Sequence, residues 1–119
     1  MIINETELIA TIRSIPDFPK EGILFRDITT LLKNADAYET LVESIAENLR
    51  PLDVDIVIGP EARGFVIGSA VAYAVHAGFV LARKPGKLPC EVNSVSYGLE
   101  YGSDCLEIHK DAILPGQRV

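Results

Sequence analysis

Val54 to Ile58 is an almost continuous run of branched apolar residues, and Gly59 and Pro60 follow it at once. Such a run fits a strand covered on both faces, the usual state of strands in parallel sheets. Gly59 and Pro60 break the strand, and "GFVIGSAVAYAVHAG" then supplies a helix rich in small residues that can lie close against a sheet, closed by Gly78. Phe79 to Ala82 adds a second short apolar strand. Strand, helix and strand in this order make one parallel unit with a right-handed crossover. The fold class is therefore α/β, a parallel sheet flanked by helices.

The flanking segments fit around that unit. From Thr6 to Ser14, Leu8, Ile9 and Ile12, then Ile15, recur at helical spacing, and Pro16 ends the element. "PDFPKEG" is a shaped loop leading into the extended run Ile23-Leu24-Phe25. Tyr38, Leu41, Val42, Ile45, Ala46 and Leu49 mark the clearest helix, capped by Asn34 or Asp36 and ended at Pro51. Val92 to Leu99 and Cys105 to Ile108 alternate well enough to pair as a hairpin, with "EYGSD" as the turn. The final "ILPGQRV" is a Pro-Gly turn followed by the first residues of another strand. Two parallel strands alone leave edges and faces uncovered, so an incomplete domain is expected.

Composition narrows the functions open to the chain. With 119 residues, 48% hydrophobic and 24% charged, it has the makeup of one soluble globular domain. No apolar run reaches the length of a membrane span, and "MIINETEL" lacks the basic start and apolar centre of a secretory signal. A cytoplasmic protein is expected. Its net charge of -6 repels nucleic acid and anionic membranes at long range, so neither is expected as a partner. Cys90 and Cys105 match no metal or redox spacing and read as free buried thiols, and His76 and His109 read as structural.

In open α/β sheets ligands bind beyond the carboxyl ends of the parallel strands. After Ile58 comes Gly59-Pro60-Glu61-Ala62-Arg63-Gly64, a tight turn at a helix N-terminus with an arginine beside it. Backbone amides, a helix dipole and a guanidinium favour a phosphate or pyrophosphate. A turn with a solvated Arg-Glu pair fits the same residues. After Ala82 come Arg83, Lys84 and Lys87, three cations in five residues of an acidic chain. They would attract a polyanion, although a solvated basic loop has the same composition. Phe25-Arg26-Asp27 could hold a flat heteroaromatic ring, although a core Phe beside an Arg-Asp surface pair is the commoner reading of the same residues. Glu100 and Tyr101, in "SYGLEYG", suit a flap that closes over a substrate, where an enclosed carboxyl group becomes a general acid. An exposed turn carboxylate is the alternative.

Taken in order, "IRSIPDFPKEGILFRDIT", "IVIGPEARGF", "ARKPGKLP", "SYGLEYG" and "LEIHKDAILPGQRV" closely resemble the adenine phosphoribosyltransferases, of the type I phosphoribosyltransferase fold. The likeness runs from about Ile12 to Val119. It implies formation of AMP and pyrophosphate from adenine and 5-phosphoribosyl 1-pyrophosphate, a purine salvage step, with Mg²⁺ neutralising the pyrophosphate. The backbone of Leu24 and Arg26 would read the adenine edge while Phe25 packs on the ring. Glu61, Ala62 and Arg63 would cradle the pyrophosphate, and Glu61 and Ala62 stand where some members carry aspartate and serine. Arg83, Lys84 and Lys87 would add positive charge there, in part across a homodimer interface. Glu100 would protonate adenine N7, with Tyr101 ordering the flap and Arg63 completing the catalytic set.

The resemblance also divides the chain. Residues 1–33 form the N-terminal helix and adenine-pocket segment, 34–89 the helix and strand-helix-strand core, and 90–111 the flap hairpin of one truncated domain over 1–119. In the family an apolar strand, two acidic residues and a Thr/Gly-rich loop for the ribose 5-phosphate come after the position of Val119. Their absence implies that this chain alone has little or no transferase activity. A non-catalytic nucleotide-binding or interaction module is the alternative function. A transferase for guanine, hypoxanthine or xanthine would need a different ring-edge reader.

Overall fold

The structure, a computed structural model, describes residues 3–99 and 102–119. The chain divides into two compact units, one ending at Ile45 and the other beginning at Ala46.

The first unit opens with α1, Glu5–Ala10, held by reciprocal capping. Asn4 Oδ1 accepts from the Glu7 amide at 2.9 Å, and Glu7 Oε2 accepts from the Asn4 amide at 2.9 Å. The helix expected through Ser14 stops at Ala10. The Thr11 hydroxyl turns back to the Leu8 carbonyl at 2.6 Å, and Arg13–Ile15 becomes β1, antiparallel to β2, Phe25–Asp27. Ile12 and Ile15 keep helical spacing from Leu8, but a partner strand distant in sequence claims this segment.

Ile23 and Leu24 lie before β2 and are exposed, so the extended run begins later than its apolar pattern suggests. The Phe18 amide donates to the Ile23 carbonyl at 3.1 Å, closing the loop between the strands. Phe18 then meets Phe25 edge-on, with centroids 5.1 Å apart. A short helix, α2, Thr29–Leu32, precedes α3, Ala35–Leu49. Asn34 caps α3 by accepting from the Ala37 amide at 3.1 Å. Leu31 and Ala37 are buried, as is Thr40, whose hydroxyl accepts from the Ile3 amide and donates to the Asp36 carbonyl.

In the second unit α3 ends and Arg50–Leu52 form a short 3-10 turn through Pro51. The parallel pair is β3, Ile56–Pro60, and β4, Gly78–Ala82, with α4, Arg63–Val75, between them in sequence. Two boundaries differ from the sequence pattern. Asp53 adopts a left-handed conformation, so the strand starts at Ile56, and Gly59 and Pro60 extend it by pairing with Leu81 and Ala82. His76, also left-handed, ends the helix, while Gly78 already belongs to β4. The interior residues of β3 are half-buried rather than sealed on both faces, apart from buried Gly59.

Glycine permits the close approach of α4 to β3. A Cβ on Gly59 would lie 2.3 Å from the Gly64 carbonyl oxygen and 2.7 Å from Phe79 Cζ. Phe79 in turn meets Phe65 edge-on at 6.2 Å.

β5, Val92–Leu99, and β6, Gly102–His109, form the antiparallel hairpin, with Leu99 opposite Gly102. Gly102, Ser103 and Asp104 therefore pair in β6 instead of lying in the turn. From Asn93 to Leu99 every residue of β5 is exposed, while β6 is half-buried from Asp104 onward. After the hairpin, the Arg118 carbonyl accepts from the Asp55 and Ile56 amides at 2.9 and 3.1 Å, laying the last residues beside the start of β3.

Candidate active site

The carboxyl ends of β3 and β4 are joined directly. The Glu61 amide donates to the Ala82 carbonyl at 3.0 Å, so the turn after β3 lies against the end of β4. One carboxylate oxygen of Glu61 accepts from the Lys84 amide at 2.9 Å and from Arg83 Nε at 3.2 Å. The Lys84 amide, more than Arg83, holds the Glu61 carboxyl below its ordinary pKa, and Lys87 adds to the effect. Glu61 stays ionised and keeps both donors oriented. The Arg83 guanidinium also lies 5.8 Å from the centre of the Phe65 ring, a cation over an aromatic face.

The Glu61–Ala62 peptide is cis, and Ala62 begins α4 with no side-chain cap. Arg63, exposed, is the first residue of the helix, and the first turn carries no acidic side chain. A helix start with a cation and no acidic side chain in its first turn suits an anion, and the Glu61 carboxylate just before it is engaged by Arg83 and the Lys84 amide.

The basic loop is tied to the hairpin. Lys84 Nζ pairs with Asp104 of β6, and Arg83 and Glu107 exchange backbone hydrogen bonds of 2.9 and 2.8 Å. Glu107 Oε1 accepts from the Gly86 amide at 3.0 Å, and Oε2 accepts from the Ser94 hydroxyl at 2.6 Å. The Ser94 hydroxyl chiefly, then the Gly86 amide, lowers the Glu107 pKa. Lys87 is exposed at the loop's end.

The "FRD" block lies in the first unit. Leu24 is exposed, Phe25 half-buried against Phe18, and Arg26 reaches Ser14 Oγ across the strand pair. Arg26 and Asp27 do not form the surface pair that their adjacency offers. Asp27 is 7% exposed and accepts from Arg13 Nε at 3.0 Å, from the Thr29 hydroxyl at 2.7 Å and from the Thr29 amide at 2.9 Å. The Thr29 hydroxyl and amide, followed by Arg13, lower its pKa from 3.8 to about 2.

The proposed acid Glu100 and its neighbour Tyr101 lie outside the described residues. Glu61, Ala62, Arg63, Arg83, Lys84 and Lys87 gather at the strand ends of the second unit, and Leu24, Phe25 and Arg26 stand together in the first. Asp104, Glu107 and Ser94 escape the sequence pattern. Fixing the hairpin register would have shown Ser94 opposite Glu107. Cys90 and Cys105 are free thiols, but Cys90 is exposed and Cys105 only half-buried, so the burial expected of both does not hold. A cleft of about 240 Å³, lined by Arg50, Asp53, Asp55 and His76 among others, lies at the amino end of β3, away from this chemistry. Among the described residues no three of His, Cys, Asp and Glu could hold a metal ion together. None of the described helices is long and apolar enough to cross a membrane.

Comparison with known proteins places this geometry. No family model matches the chain. The chain is 62% identical over 108 residues to the adenine phosphoribosyltransferase of Alkaliphilus metalliredigens, covering 91% of this chain and 64% of that protein. The crystal structure of the adenine phosphoribosyltransferase from Thermoanaerobacter pseudethanolicus superposes with a TM-score of 0.92 at 54% identity, covering 96% of this chain and 66% of that one. That of the Rhodothermus marinus enzyme gives 0.88 at 44% identity, covering 98% and 68%. The chain thus spans about two thirds of the length of these relatives. Its architecture is that of the type I phosphoribosyltransferases, a mixed α/β fold with a parallel pair, helices and antiparallel hairpins. Within that class, the chain belongs to the adenine phosphoribosyltransferase family.

Proposed function

We propose that the whole protein transfers the 5-phosphoribosyl group from 5-phosphoribosyl 1-pyrophosphate to adenine, releasing AMP and pyrophosphate in purine salvage. Family membership carries this reading, at 62% identity over 108 residues. The chemistry is displacement at the anomeric carbon by the purine N9, through a transition state with oxocarbenium character.

Each group then has a task. The amides that open α4, with Arg63, receive the pyrophosphate, and Arg83, Lys84 and Lys87 add charge, in part toward the partner in a homodimer. Glu61 orients Arg83 and the Lys84 amide instead of meeting the anion itself, since its charge would repel it. The backbone of Leu24 and Arg26 reads the adenine edge, and Phe25 packs on the ring. Glu100 delivers a proton to adenine N7 as N9 bonds to the ribose, and Tyr101 helps to close the flap. A Mg²⁺ brought in with 5-phosphoribosyl 1-pyrophosphate would neutralise charge on the leaving pyrophosphate, beside Arg63, Arg83, Lys84 and Lys87. The protein works in the cytoplasm.

The test is to supply the whole protein with adenine, 5-phosphoribosyl 1-pyrophosphate and Mg²⁺ and to measure AMP and pyrophosphate. Equal amounts of both products, with guanine, hypoxanthine and xanthine turned over far more slowly, are expected. Absence of AMP overturns the activity, and comparable use of another base overturns the specificity. The 119-residue polypeptide assayed alone is expected to form little AMP.

A further inference from the structure

We infer that Glu107 is a positioning residue that fixes the basic loop 83–87 on the flap hairpin and so presents its cations to the pyrophosphate. Glu107 holds the loop at two points. Its backbone exchanges hydrogen bonds of 2.9 and 2.8 Å with Arg83, at the loop's beginning, and its carboxylate accepts from the Gly86 amide at 3.0 Å, near the loop's end. The stretch from Arg83 to Gly86 is thereby spanned by one residue of β6.

The carboxylate is itself held. Ser94, directly opposite in β5, donates its hydroxyl to the other oxygen at 2.6 Å, which sets the plane of the carboxyl group. Gly86 has φ of +81°, a conformation that side-chain-bearing residues rarely adopt, and no heavy atom lies within 4 Å of where its Cβ would be. Beside the Lys87 amide's 3.4 Å hydrogen bond to the Lys84 carbonyl, the charge-assisted bond from Glu107 holds this turn. The same loop carries Lys84, whose ammonium pairs with Asp104 of β6. Loop and hairpin are thus fastened by both backbone and side chains, and displacement of the hairpin strand carries the loop with it. Glu107 touches no reacting atom in this scheme.

This inference rests on the proposed transferase activity for its kinetic consequence but not for its structural one, and the experiment separates the two. In the whole protein, Glu107→Ala is expected to raise the KM for 5-phosphoribosyl 1-pyrophosphate about tenfold, the scale of a lost charge-assisted hydrogen bond, while kcat and the adenine KM change less than about twofold. Glu107→Gln, which keeps an oxygen for the Gly86 amide, should restore most of the affinity. Ser94→Ala, a milder change that covers failure of the first variant to fold, should raise the same KM about threefold. Hydrogen exchange at the Gly86 amide, read without any substrate, should lose protection in Glu107→Ala and keep it in Glu107→Gln. Unchanged protection overturns the tie whether or not AMP is formed. Lost protection with an unchanged KM for 5-phosphoribosyl 1-pyrophosphate overturns the positioning role. A wild-type protein that forms no AMP refutes the activity, and the exchange measurement still decides the tie.

Discussion

Glu61 and Arg83 extend from the carboxyl ends of the two adjacent parallel strands and meet at 3.2 Å, with the Lys84 amide sharing the same Glu61 oxygen at 2.9 Å. A carboxylate beside a proposed anion site looks misplaced until its partners are counted. It repels the anion, yet it orients the Arg83 guanidinium and satisfies the Lys84 amide. Two variants separate these effects. Glu61→Gln removes the charge and keeps an acceptor oxygen, so the whole protein should bind inorganic pyrophosphate at least as tightly as wild type by calorimetry. Glu61→Ala leaves the Lys84 amide without that acceptor and frees Arg83, and binding should weaken about fivefold. Equal weakening in both variants would mean that the charge itself is required.

Asp27 gives a pH dependence whose sign is fixed. Its pKa is lowered from 3.8 to about 2 by Thr29 and Arg13, so the folded state prefers the ionised form. The resulting stabilisation is present above the unfolded value and is lost as pH falls from 3.8 through about 2. Glu61 and Glu107, also lowered, act in the same direction. Urea midpoints for wild type and Asp27→Asn should differ at about pH 6 and converge toward about pH 2, because protonation removes from wild type what the variant already lacks. A gap that stays constant over this range would assign the role of Asp27 to packing instead of charge.

Local chemistry explains which parts of the fold could be read from the chain. The spacing of Tyr38, Leu41, Val42 and Ile45 marks α3, and Asn34 caps it, because amphipathic period and capping are both local signals. The strand-helix-strand unit is legible for the same reason, with its composition compressed into 54–82. Arg13–Ile15 is not, since its helical spacing competes with pairing to Phe25–Asp27, a strand distant in sequence where Asp27 also accepts from Arg13. The cations of the candidate site stand out against an acidic chain. Their organisers do not, because Glu107 and Ser94 acquire meaning only through hairpin register.

Two glycines of the second unit should respond differently to alanine. At Gly59 the new methyl would sit 2.3 Å from the Gly64 carbonyl oxygen, a backbone atom that cannot move without shifting α4 away from β3. Glycine 68 lies inside α4, where the nearest obstacle is the Phe79 ring at 2.7 Å. There the helix preference for alanine, about 1 kcal/mol, offsets part of the clash. Thermal or urea unfolding should show Gly59→Ala destabilised by about 2–3 kcal/mol and Gly68→Ala by clearly less. The reverse order would contradict the close approach of α4 to β3 at its N-terminal end.

Glu100 carries the sharpest chemical test, because its assignment rests on the family resemblance of "SYGLEYG" and the residue lies outside those described. If it donates the proton to adenine N7 as N9 bonds to the ribose, Glu100→Gln keeps the size and hydrogen-bonding pattern and removes the transferable proton. A positioned general acid contributes ~10²- to 10⁴-fold, so kcat of the whole protein should fall by about that range while the KM for 5-phosphoribosyl 1-pyrophosphate stays close to wild type. The limb of the pH-rate profile that reports a protonated acid should vanish with it. Turnover within about threefold of wild type, with that limb intact, would reduce Glu100 to a residue of the hairpin and move the acid elsewhere.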